Sequence, residues 1–260
     1  MNTIPQAWSE WIDSRNKKFA NPTGFLSVTN LVWLTSEPQA IAGLTGSWWA
    51  SGDTVHVKDS SSGEHAWTIQ PRAEMTFDFD EIKVELASRA GQLVVRPRDP
   101  NSPMLKTFES VLTFDYDPSF RVKATLELND APSEVVVGSV VEGMTHAYVS
   151  PGTLVFKILG EECRLTAFNL ANSENLNMHF KDETSGGTSY GGGRTVTATH
   201  QTDGSYIIDF NYSGNFPCAY TDFATCPLAP AENNLTVEIA AGEMKPIYRV
   251  TADGIKVQVS

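Results

Sequence analysis

Residues that could bind or transform a ligand are concentrated between Phe180 and Glu243. This stretch contains carboxylates, asparagines, one arginine and two cysteines, interspersed with many glycines and prolines. Such a composition is typical of loops, and loops on a rigid scaffold carry a large share of binding and catalytic groups. We therefore expect any functional site to lie in this stretch.

A glycine-rich run, SGGTSYGGGR, occupies residues 185–194. Glycines allow backbone amides to approach a phosphate, but a P-loop requires Lys and then Ser or Thr after its last glycine. A dinucleotide-binding loop requires a helix at that point, whereas the following TVTAT is typical of a strand. Two interpretations remain: a tight loop packed on a neighbouring strand, or a loop in which Arg194 faces an anionic ligand and Tyr190 borders the pocket.

Three carboxylates, Asp182, Asp209 and Glu232, are candidate catalytic residues, because a positioned carboxyl group can act as a general acid or base. Their spacing along the chain does not give their separation in space, on which such chemistry depends. The competing hypothesis is structural. One carboxylate of this stretch, Glu243 included, would pair with Arg194 and tie the glycine-rich loop to the C-terminal strands.

Cys218 and Cys226 could form a disulfide, part of a metal site, or a nucleophile with a second thiol nearby. Zinc sites usually pair cysteines two to four residues apart, and the seven residues between these two, with no neighbouring histidine, disfavour a metal. A nucleophile would require a base, and the nearest histidines, His179 and His200, belong to no recognisable motif. Buried, inert thiols within a proline-rich loop are the favoured interpretation.

Alternation along SYIIDF predicts a strand that buries its apolar residues at 206, 208 and 210. Asp209 and Asn211 would then lie on the opposite, solvated face. Polar groups at a strand end and in the adjoining loops are the basis of the predicted ligand contacts, which are Tyr190, Arg194, Asn211, Cys218, Cys226 and Asn233.

The elements that must position these residues are mainly strands. One helix is predicted at the N-terminus, where Trp8, Trp11, Ile12, Arg15 and Phe19 share a face after Pro5. The segment 25–34 fits a strand or a short helix equally well. From residue 53 onward, short alternating runs separated by turn residues predict antiparallel hairpins, with turn signals at Gly160 and at Asp253-Gly254.

The absence of helical patterns between these runs favours a mainly β fold, an antiparallel barrel or sandwich, over a parallel sheet. We expect it to carry the N-terminal helix and long ordered C-terminal loops. The polar turn PRDPNSP at 97–103 suggests a boundary between a helix with a small β layer (1–98) and a larger β unit (99–260). A single domain is the alternative.

Composition narrows the classes of partner. The chain has 260 residues and a formal net charge of −12, with no cluster of Lys and Arg, so we expect neither a nucleic acid nor an anionic membrane as partner. The N-terminal sequence lacks the pattern of a secretory signal peptide, and three sparse cysteines suit a reducing compartment. We predict a cytoplasmic protein.

Four segments together resemble one known family. The segments are FKDETSGGTSYGGGR (180–194), DFN (209–211), NFPCAYTDFATCPLAPAENNL (215–235) and IAAGE (239–243). They are similar to the motifs of the bacterial and archaeal family called domain of unknown function 1684. A looser similarity extends to GFLSVTNLVWL (24–34) and FRVKAT (120–125). The chain departs from the family at Tyr212 and Asn234, usually basic, and at Phe216 and Ala229, often proline, which weakens the case for anion binding by the loop.

The resemblance implies no reaction and no cofactor. It does imply that the motif residues form one spatial unit: Asp182, Arg194, Asn211, Cys218, Cys226, Glu232 and Asn233. We predict that this unit binds a small polar molecule in a pocket formed by segments 180–194 and 209–233. One alternative is a hydrolase that uses a carboxylate as acid or base and Arg194 to orient an anionic substrate. The other is a purely structural role.

Overall fold

The structure, a computed structural model, describes residues 4–61, 63–80, 82–251 and 256–259. It confirms a mainly β protein built from antiparallel sheets, with one long helix at the N-terminus. The strands of the N-terminal part are β1 (Val32–Trp33), β2 (Gln39–Ala40), β3 (Ser47–Ser51), β4 (Thr54–Asp59), β5 (Gly63–Thr68), β6 (Glu74–Phe79), β7 (Ile82–Arg89) and β8 (Gln92–Arg98).

These eight strands form a small sandwich of two four-stranded sheets, ordered β1-β8-β7-β6 and β2-β3-β4-β5. Apolar residues alternate along the strands, so each sheet has one face that must be removed from water. Trp48 of one sheet meets Phe79 of the other edge-to-face, with ring centroids 5.1 Å apart. The core of the sandwich therefore lies between the two sheets.

The C-terminal part is a closed barrel. Its strands are β9 (Arg121–Gly138), β10 (Thr145–Ile158), β11 (Glu161–Asn169), β12 (Leu176–Phe180), β13 (Arg194–His200) and β14 (Tyr206–Asp209), and the short β15 (Gly214–Asn215) pairs with β13. The order β12-β11-β10-β9-β14-β13, with β12 also paired to β13, closes a ring of six strands. Closure leaves no sheet edge between the first and last strands of the ring.

Turn chemistry explains the hairpins. Leu159 and Gly160, between β10 and β11, both have positive φ values, 51° and 88°. That pattern is typical of the two-residue turns that match the twist of antiparallel strands, and it confirms the predicted tight hairpin. The predicted turn at Asp253-Gly254 lies outside the described residues. The strands that flank it, β16 (Tyr248–Val250) and β17 (Lys256–Gln258), are paired antiparallel.

The helix α1 (Gln6–Phe19) begins directly after Pro5 and packs on the barrel. The indole Nε1 of Trp8 donates a hydrogen bond to the backbone oxygen of Asn211 (3.1 Å). The ambiguous segment 25–34 contains both alternatives, a 3-10 turn at Phe25–Ser27 and the short β1. A second short helix, α2 (Pro103–Thr107), starts at Ser102, whose hydroxyl accepts from the backbone N–H of Leu105.

The sandwich and the barrel are in contact. Arg96 of β8 donates a hydrogen bond through Nη2 to the hydroxyl of Thr225 (3.1 Å). The proposed boundary at 98/99 stays a prediction. Long ordered loops follow β14, as predicted, and their described residues form only short turns and two-residue or three-residue strands. Neither α-helix of the described chain is both long enough and apolar enough to span a bilayer.

Candidate functional site

Arg194, at the start of β13, has no solvent-exposed surface. Its Nη1 donates to the carbonyl oxygens of Ala241 and Glu243 (3.2 Å), and its Nη2 donates to the carbonyl oxygen of Ile239 (2.8 Å). Asp182 completes the environment with a carboxylate oxygen 3.3 Å from Nη2. The guanidinium therefore binds protein groups in the interior. Because it has no exposed surface, a ligand could reach it only if the surrounding residues moved.

Both carboxylate oxygens of Asp182 also accept hydrogen bonds from protein groups. Its Oδ2 accepts hydrogen bonds from the backbone N–H of Ile239 (2.7 Å) and from the hydroxyl of Thr184 (2.8 Å). Its Oδ1 accepts from the hydroxyl of Ser185 (3.1 Å). The predicted pair between Arg194 and a carboxylate of this stretch is confirmed, and it ties the glycine-rich loop to segment 239–243. We call Asp182, Thr184, Arg194 and segment 239–243 the Arg194 centre.

Asn233 is buried and hydrogen-bonded in the same manner. Its Oδ1 accepts from the N–H of Thr166 (2.7 Å), and its Nδ2 donates to the carbonyl oxygens of Thr166 and His179 (2.9 Å each). These bonds fasten the loop after residue 230 to strands β11 and β12. Every hydrogen-bonding group of the Asn233 side chain therefore has a protein partner.

Asn211 differs from its predicted position on a solvated face. It is fully buried, because the chain leaves β14 at Asp209 and turns into a 3-10 helix at Phe210–Tyr212, which ends the strand alternation. Its Oδ1 accepts from the N–H of Asp117 (3.0 Å), and its Nδ2 donates to the carbonyl of Asp117 and to Oδ1 of Asp209 (2.8 Å each). Asn211 thus orients Asp209.

The two cysteines of the loops are buried and unbonded, at 3% and 7% exposure for Cys218 and Cys226. The hydroxyl of Tyr190 donates to the carbonyl oxygen of Cys218 (3.0 Å), so Tyr190 packs against the loop that contains Cys218. In the part of the chain that the structure describes, no group of three or more His, Cys, Asp or Glu side chains is arranged to bind a metal ion.

The three candidate carboxylates do not converge. Asp182 is in the Arg194 centre, whereas Glu232 is exposed and accepts a long hydrogen bond from the Thr166 hydroxyl (3.4 Å). Asp209 alone lies on an open cleft of about 480 Å³ on the outside of the barrel. We call this the Asp209 cleft. Its other lining residues include Trp11, Arg121, Thr197, Thr199, Gln201 and Tyr212.

Strand geometry explains why these residues meet. Alternate residues of β13 place Thr197 and Thr199 outward, and the neighbouring β14 places Asp209 on the same face. Arg121 stands directly opposite Asp209 in the pairing of β9 with β14. Helix α1 lies beside this face and contributes Trp11, whose ring meets Tyr212 edge-to-face at 5.5 Å.

The carboxylate of Asp209 has one occupied and one open oxygen. Oδ1 accepts from the backbone N–H (3.1 Å) and Nδ2 (2.8 Å) of Asn211. Oδ2 lies 3.8 Å from Nε of Arg121, which is too far for a hydrogen bond. Burial raises the pKa of Asp209 against the opposing effects of Asn211 and Arg121. A half-buried carboxylate with a free acceptor on a cleft can bind a ligand or exchange a proton.

Sequence reasoning identified Asp209 but missed Trp11, Arg121, Thr197 and Thr199. The helical periodicity places Trp11 on a helix face, and the threonines follow the outward alternation of TVTAT. That alternation is the one signal that could have found them. Nothing in the sequence brings α1 or Arg121 to this strand pair.

Comparison with known proteins agrees with the resemblance. Residues 106–244 match the family described as "Protein of unknown function (DUF1684)", and this chain belongs to that family. A similar solved structure is the solution NMR structure of an uncharacterized protein of Haloarcula marismortui. It is 34% identical, and the match covers 54% of this chain and 79% of that one with a TM-score of 0.45. A comparison with curated proteins gives no match.

Proposed function

We propose that this protein binds a small, hydroxyl-bearing polar molecule in the Asp209 cleft. The observation that carries the proposal is Oδ2 of Asp209, an acceptor without a hydrogen-bond donor among the described residues. Asn211 holds the other carboxylate oxygen, so the direction of the free acceptor is fixed before a ligand arrives. Preorganised acceptors of this kind give orientation and specificity to small-molecule sites.

The lining favours sugars or polyols within this class. Thr197 and Thr199 offer hydroxyls, Arg121 offers donors, and the rings of Trp11 and Tyr212 offer apolar contact. A sugar ring presents hydroxyls at its edge and C–H groups on its faces, which matches a carboxylate beside aromatic surfaces. A volume of about 480 Å³ lies within the usual range for small-molecule pockets.

In this proposal the two predicted segments have different roles. Segment 209–233 contributes Asp209 and Tyr212 to the cleft, whereas segment 180–194 supports the barrel end through Arg194 and Asp182. Ligand contacts by Tyr190, Arg194, Asn233, Cys218 or Cys226 stay predictions. Four of these side chains would have to leave a buried position, and the half-buried Tyr190 would have to give up its hydrogen bond to the Cys218 carbonyl oxygen.

Hydrolysis is the second candidate function, and the raised pKa of Asp209 favours it. A carboxyl group that retains its proton closer to neutral pH is better suited to general acid catalysis. The candidate partner carboxylates, Asp182 and Glu232, do not line the cleft. A hydrolase would therefore use Asp209 alone, and Arg121, in place of Arg194, would orient the anionic substrate.

A ligand screen tests the proposal. We would measure the melting temperature of the purified protein with monosaccharides, disaccharides and inositols, because a ligand that binds only the native state raises it. The variant Asp209→Asn should abolish any shift. Asp203→Asn is the matched control, since Asp203 is an exposed aspartate of the adjoining turn, paired with Lys123. A shift that survives in Asp209→Asn, or a screen without any shift, would refute the proposed site.

We also propose that the protein acts in the cytoplasm without a nucleic-acid partner. The formal charge of −12 supports this, because phosphate backbones bind clustered cations. Three unbonded cysteines support a reducing compartment.

A further inference from the structure

The Cys218 and Cys226 side chains lie together in a small buried cluster with Ala224. Phe25, Tyr190 and Phe216 border this cluster. The hydrogen bonds of the Asp209 cleft and of the Arg194 centre do not involve either thiol. A pair of adjacent unbonded thiols in one apolar cluster is therefore left without a role in the proposed function.

The surroundings of the pair shift the pKa values of the two thiols in opposite directions. The neighbouring Cys226 thiol is the main cause that lowers the pKa of Cys218; Tyr190 and Arg249 act in the same direction, and burial opposes them. The neighbouring Cys218 is in turn the main cause that raises the pKa of Cys226, and burial adds to that effect. The pKa of Cys218 is thus lowered while that of its neighbour Cys226 is raised. That division of roles is typical of a reactive dithiol.

The backbone of Cys218 is held in place. Its carbonyl oxygen accepts hydrogen bonds from the Tyr190 hydroxyl (3.0 Å) and from Nη2 of Arg249 (3.2 Å). Arg249 also pairs with Asp222 inside the same loop. The loop that carries Cys218 is thereby fixed to Tyr190 and Arg249, with Cys226 in the same cluster.

We propose that Cys218 and Cys226 form a redox-active dithiol that hydrogen peroxide converts to an intramolecular disulfide. The oxidant must be small, because the two residues are only 3% and 7% exposed. A folded protein or a bulky disulfide would not reach the sulfurs. The third cysteine, Cys163, is also buried but lies in the barrel core apart from this cluster.

The reaction proceeds in two steps. The Cys218 thiolate attacks one peroxide oxygen, the O–O bond breaks, and the departing hydroxide takes a proton to become water, which leaves a sulfenic acid. The Cys226 sulfur then attacks the Cys218 sulfur, the S–O bond breaks, and the Cys226 proton leaves with the second water. The two thiols lose two electrons and two protons, and one peroxide becomes two waters. A small dithiol such as dithiothreitol reverses the change.

Cys163 provides the matched control for the experiment. Burial raises its pKa, and Glu161 adds to that effect, so it should react slowly although it is similarly shielded. The reduced full-length protein would be treated with one equivalent of hydrogen peroxide, alkylated without reductant, and mapped by peptide mass spectrometry. We expect a linked Cys218–Cys226 peptide, and a free Cys163 whose oxidation is at least about tenfold slower.

Two variants assign the steps. Cys226→Ser should stop the reaction at a sulfenic acid on Cys218 that dimedone traps, whereas Cys218→Ser should leave Cys226 reduced. Circular dichroism would verify folding of each variant, and the wild-type mapping stands even where a variant fails to fold. Equal reaction of all three cysteines in the native protein, or direct over-oxidation of Cys218 without a disulfide, would overturn the proposal. In urea, where the three environments are lost, the rates should become similar.

Discussion

The Arg194 centre and the Asp209 cleft each contain an arginine beside an aspartate, but the two pairs differ in their exposure to solvent. In the first, Arg194 and Asp182 have no solvent-exposed side-chain surface and bond to each other and to nearby protein groups. In the second, Asp209 retains an open oxygen 3.8 Å from an arginine whose side chain is 53% exposed. An ion pair therefore does not by itself identify a site. The difference lies in whether any acceptor or donor remains available to a ligand.

The largest expected effect comes from removing the cation of the Arg194 centre. Arg194→Ala leaves Asp182 buried without its counter-charge and the carbonyl oxygens of Ala241 and Glu243 without a donor, so the free energy of unfolding should fall by about 3 to 5 kcal/mol. Urea denaturation measures this. Arg121→Ala, at the exposed arginine of the cleft, should change it by less than about 0.5 kcal/mol. Equal effects of the two substitutions would remove the distinction between the regions.

A buried histidine beside the same loops should make stability depend on pH. Burial, with a smaller contribution from His146, lowers the pKa of His179 to about 4. The unfolded chain binds the proton near pH 6.5, so the stabilisation is complete above that pH and is lost as pH falls from 6.5 towards 4. The loss should reach about 3 kcal/mol near pH 4.

The variant His179→Phe isolates this contribution. It retains an aromatic ring among Tyr148, Phe168 and Phe216 but cannot bind a proton. The difference in unfolding free energy between wild type and variant should therefore change between pH 7 and pH 4. A difference that stays constant over that range would show that His179 is already solvated in the folded state.

Two glycines test how tightly the Arg194 centre is built. Gly242 has a φ of 77°, and a Cβ there would lie 2.6 Å from the Ser213 carbonyl oxygen and 2.8 Å from that of Phe210. Gly160 has a similar φ of 88°, with nothing within 4 Å of such a Cβ. Both alanine variants should incur about 1 kcal/mol of backbone strain. Gly242→Ala should cost about 2 kcal/mol more, because backbone atoms must move. Equal melting temperatures for the two variants would contradict this.

The sequence predicted the fold more completely than the site. Strand periodicity follows from local alternation, and it indicated a barrel or a sandwich; the molecule contains one of each. The pairing of Arg194 with a carboxylate is one of two interpretations that the sequence leaves open, and the ion pair with Asp182 confirms it. The orientation of Asn211 did not, because the 3-10 turn at Phe210–Tyr212 interrupts the alternation from which its exposure was inferred.

The composition of the cleft was beyond sequence reasoning for a geometric reason. Trp11, Arg121 and Asp209 come from a helix and two strands that are far apart along the chain. They meet because β9 pairs with β14 in the closed barrel and because α1 packs beside that pair. Such contacts depend on strand order, which single-sequence patterns leave open. The composition of the loops therefore indicated the Arg194 centre, whose groups are bonded within the protein. It did not indicate the outer face of the barrel, where Asp209 has an open acceptor.

The expected effect on stability at Asp209 is small, and its sign is informative. Burial raises the pKa of Asp209, so the ionised carboxylate costs free energy in the folded state at neutral pH, and that cost declines as pH falls through the folded pKa. Asp209→Asn keeps an oxygen for the Asn211 donors and removes the charge. We expect unchanged or slightly increased stability at pH 7, within about 1 kcal/mol, as is common where a residue serves binding.

Measurement of stability and of ligand response on the same Asp209→Asn sample separates the two regions. Asp209→Asn should abolish the ligand response and leave the fold intact. Arg194→Ala, by contrast, should lower the free energy of unfolding. At pH 3 the stability advantage of Asp209→Asn over wild type should diminish, because the wild-type carboxyl group is then protonated as well. A variant destabilised by several kcal/mol at pH 7 would place Asp209 with the Arg194 centre, as part of the framework.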